Sequence, residues 1–237
     1  MSLKITSLSS GSHGNAYVVS NSLEGDRLLI EAGLAPKKLK KAFWEKNIMF
    51  KDILTCLISH EHKDHSASAE YLSNAGVNIL APESLEGIRE DRLVPIKANK
   101  VYEAGSYLVK PVNMSHDDIT CYGFFIYYKP TGDRLFYATD SMYVEQRPKK
   151  ANYLMIEVNY QAKYLEEAIK AGEMDRANMR RVMRTHMGLE TVLEFLKKID
   201  TEDLKEIWIL HVSKRNANPD EIKEAIQKEA GVPVYIA

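Results

Sequence analysis

Short apolar stretches rich in Val, Ile, Tyr and Phe alternate along this chain with segments whose apolar residues recur at helical spacing. The first part predicts strands over residues 3–8, 16–20 and 26–30, with residues 21–26 as the hairpin loop between the second and third. Residues 36–46 predict a helix that opens on Pro36 and presents Leu39 and Phe43 on one face. A β-branched run, Ile53-Leu54-Thr55-Cys56-Leu57-Ile58, predicts the next strand, and Ser66-Ala67-Ser68-Ala69-Glu70 reads as a helix start behind a capping hydroxyl. Residues 77–80 and 82–89 repeat the strand–helix theme. Strands then cluster over 107–112, 123–128 and 134–138, the last two joined by a Pro130-Thr131-Gly132-Asp133 turn. After that, alternation resumes. Strands are expected at 153–158, 206–210 and 234–236, and helices at 164–171, 175–184, 189–198 and 219–230. The pattern defines an α/β protein.

Composition narrows the class. A chain of 237 residues fits one large α/β domain over 1–237, with a substantial core. The net charge is −1, so bulk charge offers nothing to a polyanion and any phosphate attraction must be local. Two cysteines, Cys56 and Cys121, sit in apolar strand-like settings and read as reduced core thiols. The start, Met1-Ser2-Leu3-Lys4, lacks the basic and apolar regions of a secretion signal, and no apolar run approaches membrane-spanning length. A cytoplasmic protein with no membrane partner is the expectation.

The chemistry concentrates behind the fourth predicted strand, in His60-Glu61-His62-Lys63-Asp64-His65. Chance produces such a run of three His and an Asp in roughly a few of ten thousand chains of this composition. Imidazole and carboxylate together suit zinc, manganese or iron. In an extended segment His60 and His62 point the same way, which lets them hold one ion. Asp64 and His65, past the strand end, can project onto a second. Three further candidates follow strand-like runs: His116 behind 107–112, Asp140 behind 134–138, and His211 behind 206–210. Strand ends at one rim of a sheet are where α/β layers place their ligands.

The order H-x-H-x-D-H, His, Asp, His resembles the metallo-β-lactamase fold superfamily. That resemblance implies a four-layer αβ/βα sandwich. It also implies two divalent metal ions: a first site of His60, His62 and His116, a second of Asp64, His65 and His211, and Asp140 bridging both. The opening Ser9-Ser10-Gly11-Ser12-His13-Gly14-Asn15 is similar to the S-S-G-S-x-G-N start of the YycJ-type branch, and His186-Met187-Gly188 and His211-Val212-Ser213 are similar to its short H-L-S elements. The branch implies an exonuclease acting on DNA. Two elements depart from the pattern. Glu31-Ala32-Gly33 stands where an Asp-Ala-Gly is usual, and Asn159-Tyr160-Gln161 where Asn-His-Asp is usual.

Other residues are candidates for the reaction around the metals. Asp64 would also orient the attacking water. His186 is a candidate proton donor to the leaving oxygen, with capping of a helix as its plain alternative. Arg180, Arg181 and Arg184, at helical spacing just before His186, read either as a solvated face or as a phosphate-tracking stripe. His13 is a candidate substrate contact in a Gly-rich loop. Tyr143, Tyr160 and Tyr164 could stack on bases, or pack as core or rim residues. Asp117 and Asp118 could support the neighbouring His116. The expected function is a binuclear phosphodiesterase, a nuclease acting on DNA. The alternative on the same scaffold is a small-molecule metallo-hydrolase such as a thioesterase, lactonase or cyclic-nucleotide phosphodiesterase.

Overall fold

The computed structural model describes residues 2–21, 26–116 and 119–237 and divides into two compact units. The first comprises Met1–Val112 and Thr120–Asp133; the second comprises Asn113–Ile119 and Arg134–Ala237.

The first unit is built on a six-stranded sheet in chain order: β1 (Leu3–Ser9), β2 (Ala16–Asn21), β3 (Arg27–Ile30), β4 (Ile53–Leu57), β5 (Asn78–Ala81) and β6 (Leu93–Pro95). β1 to β3 pair antiparallel, and β3 to β6 pair parallel. Parallel neighbours need crossovers. Helix α1 (Pro36–Glu45) supplies the one from β3 to β4, and two short helices, α2 (Lys63–Ser66) and α3 (Ala69–Asn74), supply the one from β4 to β5. Val18, Leu29, Cys56 and Ile79 pack with Leu39 and Phe43 of α1 and Leu72 of α3. Their neighbours Tyr17, Val19, Leu28, Ile30 and Leu57 point the other way and are buried as well. A sheet buried on both faces accounts for the unbroken apolar runs in its strands. The unit also holds β7 (Tyr102–Ala104), β8 (Tyr107–Met114) and β9 (Cys121–Tyr128). Their tyrosines reach back to the first sheet: the Tyr107 hydroxyl donates to the Val19 carbonyl at 3.2 Å, and Asn21 Nδ2 donates to the Tyr128 hydroxyl at 2.8 Å.

The second unit is a parallel ladder in the order β13-β12-β11-β10, with β10 at Arg134–Ala138, β11 at Tyr153–Glu157, β12 at Glu206–Leu210 and β13 at Val234–Ile236. Helices α4 (Ala162–Lys170), α5 (Arg176–Thr185) and α6 (Leu189–Leu196) connect β11 to β12, and α7 (Pro219–Ala230) connects β12 to β13. The sequence punctuates α7 clearly. The Asn218 side chain accepts from the backbone N–H groups of Asp220 and Glu221, Pro219 opens the first turn, and Gly231 closes the helix at φ 69°. Asp175 caps α5 in the same way, accepting from Asn178 N–H.

Several expectations change. Residues 82–89 form turns instead of a helix: Gly87 adopts φ 78° and Leu85 N–H closes a tight turn on the Pro82 carbonyl. The helix expected to begin at Ser66 begins at Lys63 and breaks at Ala67–Ser68, so Asp64 and His65 are helical. The Ser66 hydroxyl donates backwards, to the carbonyls of Glu61 and His62, instead of capping a new helix. β6 and β7 escape the pattern because each is three residues long and half exposed. The loop expected at 21–26 lies largely outside the described residues, as do Asp117 and Asp118. Among the described residues no helix is long and apolar enough to cross a membrane.

Two glycines set the approach of one loop to another. Gly33 N–H donates to the Asn15 carbonyl, and a Cβ on Gly33 would fall on the backbone carbonyl of Asp64. A Cβ on Gly14 would strike the Gly33 carbonyl. Replacing Gly33 with Ala should therefore destabilise the protein by about 1–3 kcal/mol, read as a lower urea midpoint with an unchanged slope. An unaltered midpoint would show that the two loops yield freely.

Candidate metal centre

β4 delivers the histidine loop in the first unit. Ile58 N–H still donates across the sheet to the Leu80 carbonyl, and the chain then turns at Ser59. His60 is fully buried. Its Nδ1 lies 2.8 Å from Ser59 Oγ and 3.8 Å from Cys121 Sγ, and its Nε2 lies 3.1 Å from His62 Nδ1. Two nitrogens each about 2.1 Å from one tetrahedral ion would be about 3.4 Å apart, so this pair has the spacing a shared cation needs. Helix α2 begins at once, with His62 at its N-cap, and turns Asp64 and His65 inward. The His65 ring is fully buried, its Nε2 3.5 Å from Asp64 Oδ2 and its Nδ1 3.5 Å from Glu31 Oε1. Glu31 Oε2 also accepts from Ser59 N–H at 3.3 Å. A carboxylate behind an imidazole is the usual support of a metal-ligating histidine.

The second unit gathers a set of its own. Asp140 follows β10, Glu157 ends β11, and His211 follows β12, all at the C-terminal ends of parallel strands. His186 ends α5. Ligand atoms of Asp140, Glu157, His186 and His211 all lie within 4.8 Å of one another. Glu157 Oε1 sits 2.6 Å from His186 Nδ1 and 2.9 Å from His211 Nδ1, and Asp140 Oδ1 sits 3.0 Å from His211 Nδ1. Burial opposes a charged imidazole, but the Asp140 and Glu157 carboxylates outweigh it and push His211 up to about 10. His186 is raised for the same reason, against burial and mainly by Glu157. Burial opposes the Glu157 carboxylate too, yet the neighbouring His186 holds it below the usual range. Two carboxylates sealed in one apolar pocket demand positive charge, and a divalent cation with O and N donors meets that demand.

His116 donates from Nδ1 to the Thr185 carbonyl at 3.2 Å, which makes Nε2 its candidate ligating nitrogen. Thr185 is the last residue of α5, the arginine helix. A cleft of about 620 Å³ opens there, lined by Ser115, His116, Met142, Arg180, Arg181 and Arg184 among others.

The structure thus gathers His60, His62, Asp64 and His65 on one loop. It gathers Asp140, His186 and His211 around Glu157, and it places His116 against the arginine helix. His13 stands exposed at the tip of the β1–β2 turn, and the loop's buried polar residue is Asn15. Tyr160 is a core residue packed with Leu165 and Val182, its ring lying where a Cβ on Gly188 would be. Asn159 ties two loops together: its Nδ2 donates to the His211 carbonyl at 3.0 Å, and its N–H donates to the Met187 carbonyl at 2.9 Å. Tyr164 donates to Glu221, and Tyr143 is exposed with its hydroxyl on Glu145. Glu157 was missed in the sequence. The available signal was one acidic residue closing an otherwise apolar strand, Tyr153-Leu154-Met155-Ile156-Glu157.

A family model described as the beta-lactamase superfamily domain matches residues 26–207. The chain belongs to the metallo-β-lactamase superfamily and is a hydrolase of that superfamily. Within it the chain is of the YycJ type. Exodeoxyribonuclease YycJ of Bacillus anthracis is 25% identical over 231 residues, covering 91% of this chain and 84% of that protein. Exodeoxyribonuclease WalJ of Streptococcus pneumoniae serotype 2 is 26% identical, covering 98% and 91%. The crystal structure of the metallo-β-lactamase fold protein YhfI from Bacillus subtilis matches with a TM-score of 0.73 at 17% identity, over 99% of this chain and 96% of that one. The fold is the expected α/β sandwich, and the donor clusters are of the kind that takes divalent metals.

Glu157→Gln keeps the shape of the second cluster and removes a charge. It should weaken divalent-metal affinity by about 10–100-fold, measured by chelator competition. Affinity equal to that of the parent protein would remove Glu157 from the centre.

Proposed function

We propose that this protein is a binuclear metal-dependent phosphodiesterase, a nuclease that removes nucleotides from DNA as an exonuclease, acting in the cytoplasm. The observation that carries this reading is the cleft beside His116 walled by Arg180, Arg181 and Arg184. In a chain of net charge −1, three guanidinium groups on one exposed helix beside a candidate metal ligand constitute a local anion track. The names of the YycJ and WalJ relatives support a DNA substrate.

In this reading His60, His62 and His116 would hold the first ion and Asp64, His65 and His211 the second, with Asp140 shared as the bridging residue. Residues 1–237 are read as one metallo-hydrolase domain. The ions, whether zinc, manganese or iron, supply Lewis acidity toward the phosphoryl oxygens and a nucleophile at neutral pH. The protein's own groups do the rest. Asp64 would also orient the attacking water. The arginines bind flanking phosphates and oppose the charge that builds on the reacting one. His186, held by Glu157 at 2.6 Å and partly open to solvent, delivers a proton to the leaving oxygen. His13, exposed in the opening loop, would be a contact for substrate.

Asp140→Ala should lose bound metal and cleavage of a labelled oligonucleotide together; turnover retained in that variant would refute the bridging role. Neutralising Arg180, Arg181 and Arg184 together should leave metal content intact and weaken single-strand binding. The slope of log affinity against log salt should shrink by about 2, at roughly 0.7 per phosphate contact. An unchanged slope together with unchanged cleavage would favour a small-molecule substrate.

A further inference from the structure

The opening loop, Ser9-Ser10-Gly11-Ser12-His13-Gly14-Asn15, is tied to the histidine loop through one side chain. Asn15 is fully buried. Its Oδ1 accepts from Gly11 N–H at 2.8 Å and from the Tyr17 hydroxyl at 3.1 Å. A backbone N–H can only donate, so Gly11 settles which end of the amide is oxygen. The Nδ2 end is therefore aimed at the Asp64 carbonyl, 3.2 Å away, and at His65 Nε2, 3.1 Å away. The amide has two hydrogens, and these two acceptors use both. Asn15 N–H grips the same Asp64 carbonyl at 2.8 Å.

An imidazole nitrogen that accepts a hydrogen bond carries no proton, so a neutral His65 has its proton on Nδ1. The Glu31 carboxylate, 3.5 Å from Nδ1, favours a proton at that position. Carboxylates lie equally near both ring nitrogens, Glu31 at Nδ1 and Asp64 at Nε2, and the Asn15 donor at Nε2 decides between them. In the opposite tautomer a proton would sit on Nε2, the nitrogen beside Asp64 Oδ2.

We propose that Asn15 is a positioning residue that holds His65 in its Nδ1–H tautomer, with the Nε2 lone pair unprotonated and held by an amide hydrogen that a divalent cation can displace. The proposal rests on the reading of His65 as a ligand of the second ion. A neutral hydrogen bond selects the tautomer and gives way to a cation, because metal–imidazole attraction exceeds that of an amide N–H. The amide also fixes the Asp64 carbonyl, so both ligands of the pair are registered against the loop that opens the chain.

The test uses imidazole ¹⁵N shifts of the metal-free full-length protein, followed by chelator competition. In the parent protein His65 should show an unprotonated Nε2 and a protonated Nδ1. Asn15→Leu, similar in shape but without a donor, should mix the tautomers. It should leave metal affinity at or above that of the parent protein, because the amide bond to Nε2 has to break before a cation takes that lone pair. Tyr17→Phe keeps the Gly11 bond and should shift the tautomer less, in the same direction. An Nε2–H tautomer in the parent protein overturns the proposal, as does an Asn15→Leu protein with an unchanged tautomer. Should Asn15→Leu fail to fold, the parent protein and Tyr17→Phe decide. A parent protein with the Nδ1–H tautomer that takes up no ion sinks the metal reading and leaves the assignment of Asn15 standing.

Discussion

Ionised groups inside an apolar sheet layer must be matched, and this molecule is organised around that constraint. Asp140 and Glu157 are buried at the ends of adjacent parallel strands, β10 and β11. Two such carboxylates repel each other and lose their hydration together. His186 and His211 answer them at 2.6–3.0 Å, and the resulting pull on protons is the same pull that draws a divalent ion. Removing one partner from a buried set of this kind typically costs about 3–5 kcal/mol. The cluster thus contributes to holding the β10–β12 rim together.

The backbone carries the mark of this arrangement. Glu31, Asp140 and His211 adopt φ of 63°, 44° and 53°, in the left-handed region that favours glycine. Each follows the end of a strand and each carries a buried side chain of the candidate centre. Strain of this size, about 1–3 kcal/mol per residue, persists only where neighbours enforce it. Here they do: Glu31 N–H donates to the Leu57 carbonyl, and Asn159 donates to the His211 carbonyl. Gly33 and Gly14 complete the enforcement by allowing backbones to meet where a Cβ would not fit.

Much of this was legible in the sequence, for identifiable reasons. Strongly periodic or well-capped elements read true: α7 matches to the residue because Asn218, Pro219 and Gly231 all speak for it, and β10, β12 and β13 match because their runs are apolar and cleanly bounded. The histidine loop was legible because its residue types are rare together. What was not legible depended on distant partners. The split of α2 from α3 is set by Ser68, whose hydroxyl donates to the Leu34 carbonyl and whose N–H donates to Ala32. The turns at residues 82–89 carry helix formers that local propensity cannot distinguish from a helix. Glu157 and Asn15 are single residues of common type, and only the fold shows that one faces two histidines and the other a third. In the opening loop the ionisable His13 drew the eye, yet it is the neutral amide two residues on that is buried.

The candidate metal donors and the arginines are held in different ways. Donors at strand ends are fixed by ladders on both sides and cannot move singly. The arginines ride on α5, an exposed helix whose own packing is limited to Val182, Thr185 and partly buried neighbours. Such a helix would be free to drift, were it not that His116 donates to its last carbonyl and His186 extends its end toward Glu157. The helix is therefore tied at the end nearest the candidate ligands, and its first turn is closed by the Asp175 cap ten residues earlier in sequence. On the proposed reading, arginines held at that end would place the reacting phosphate closely, while phosphates farther along would need only to be neutralised.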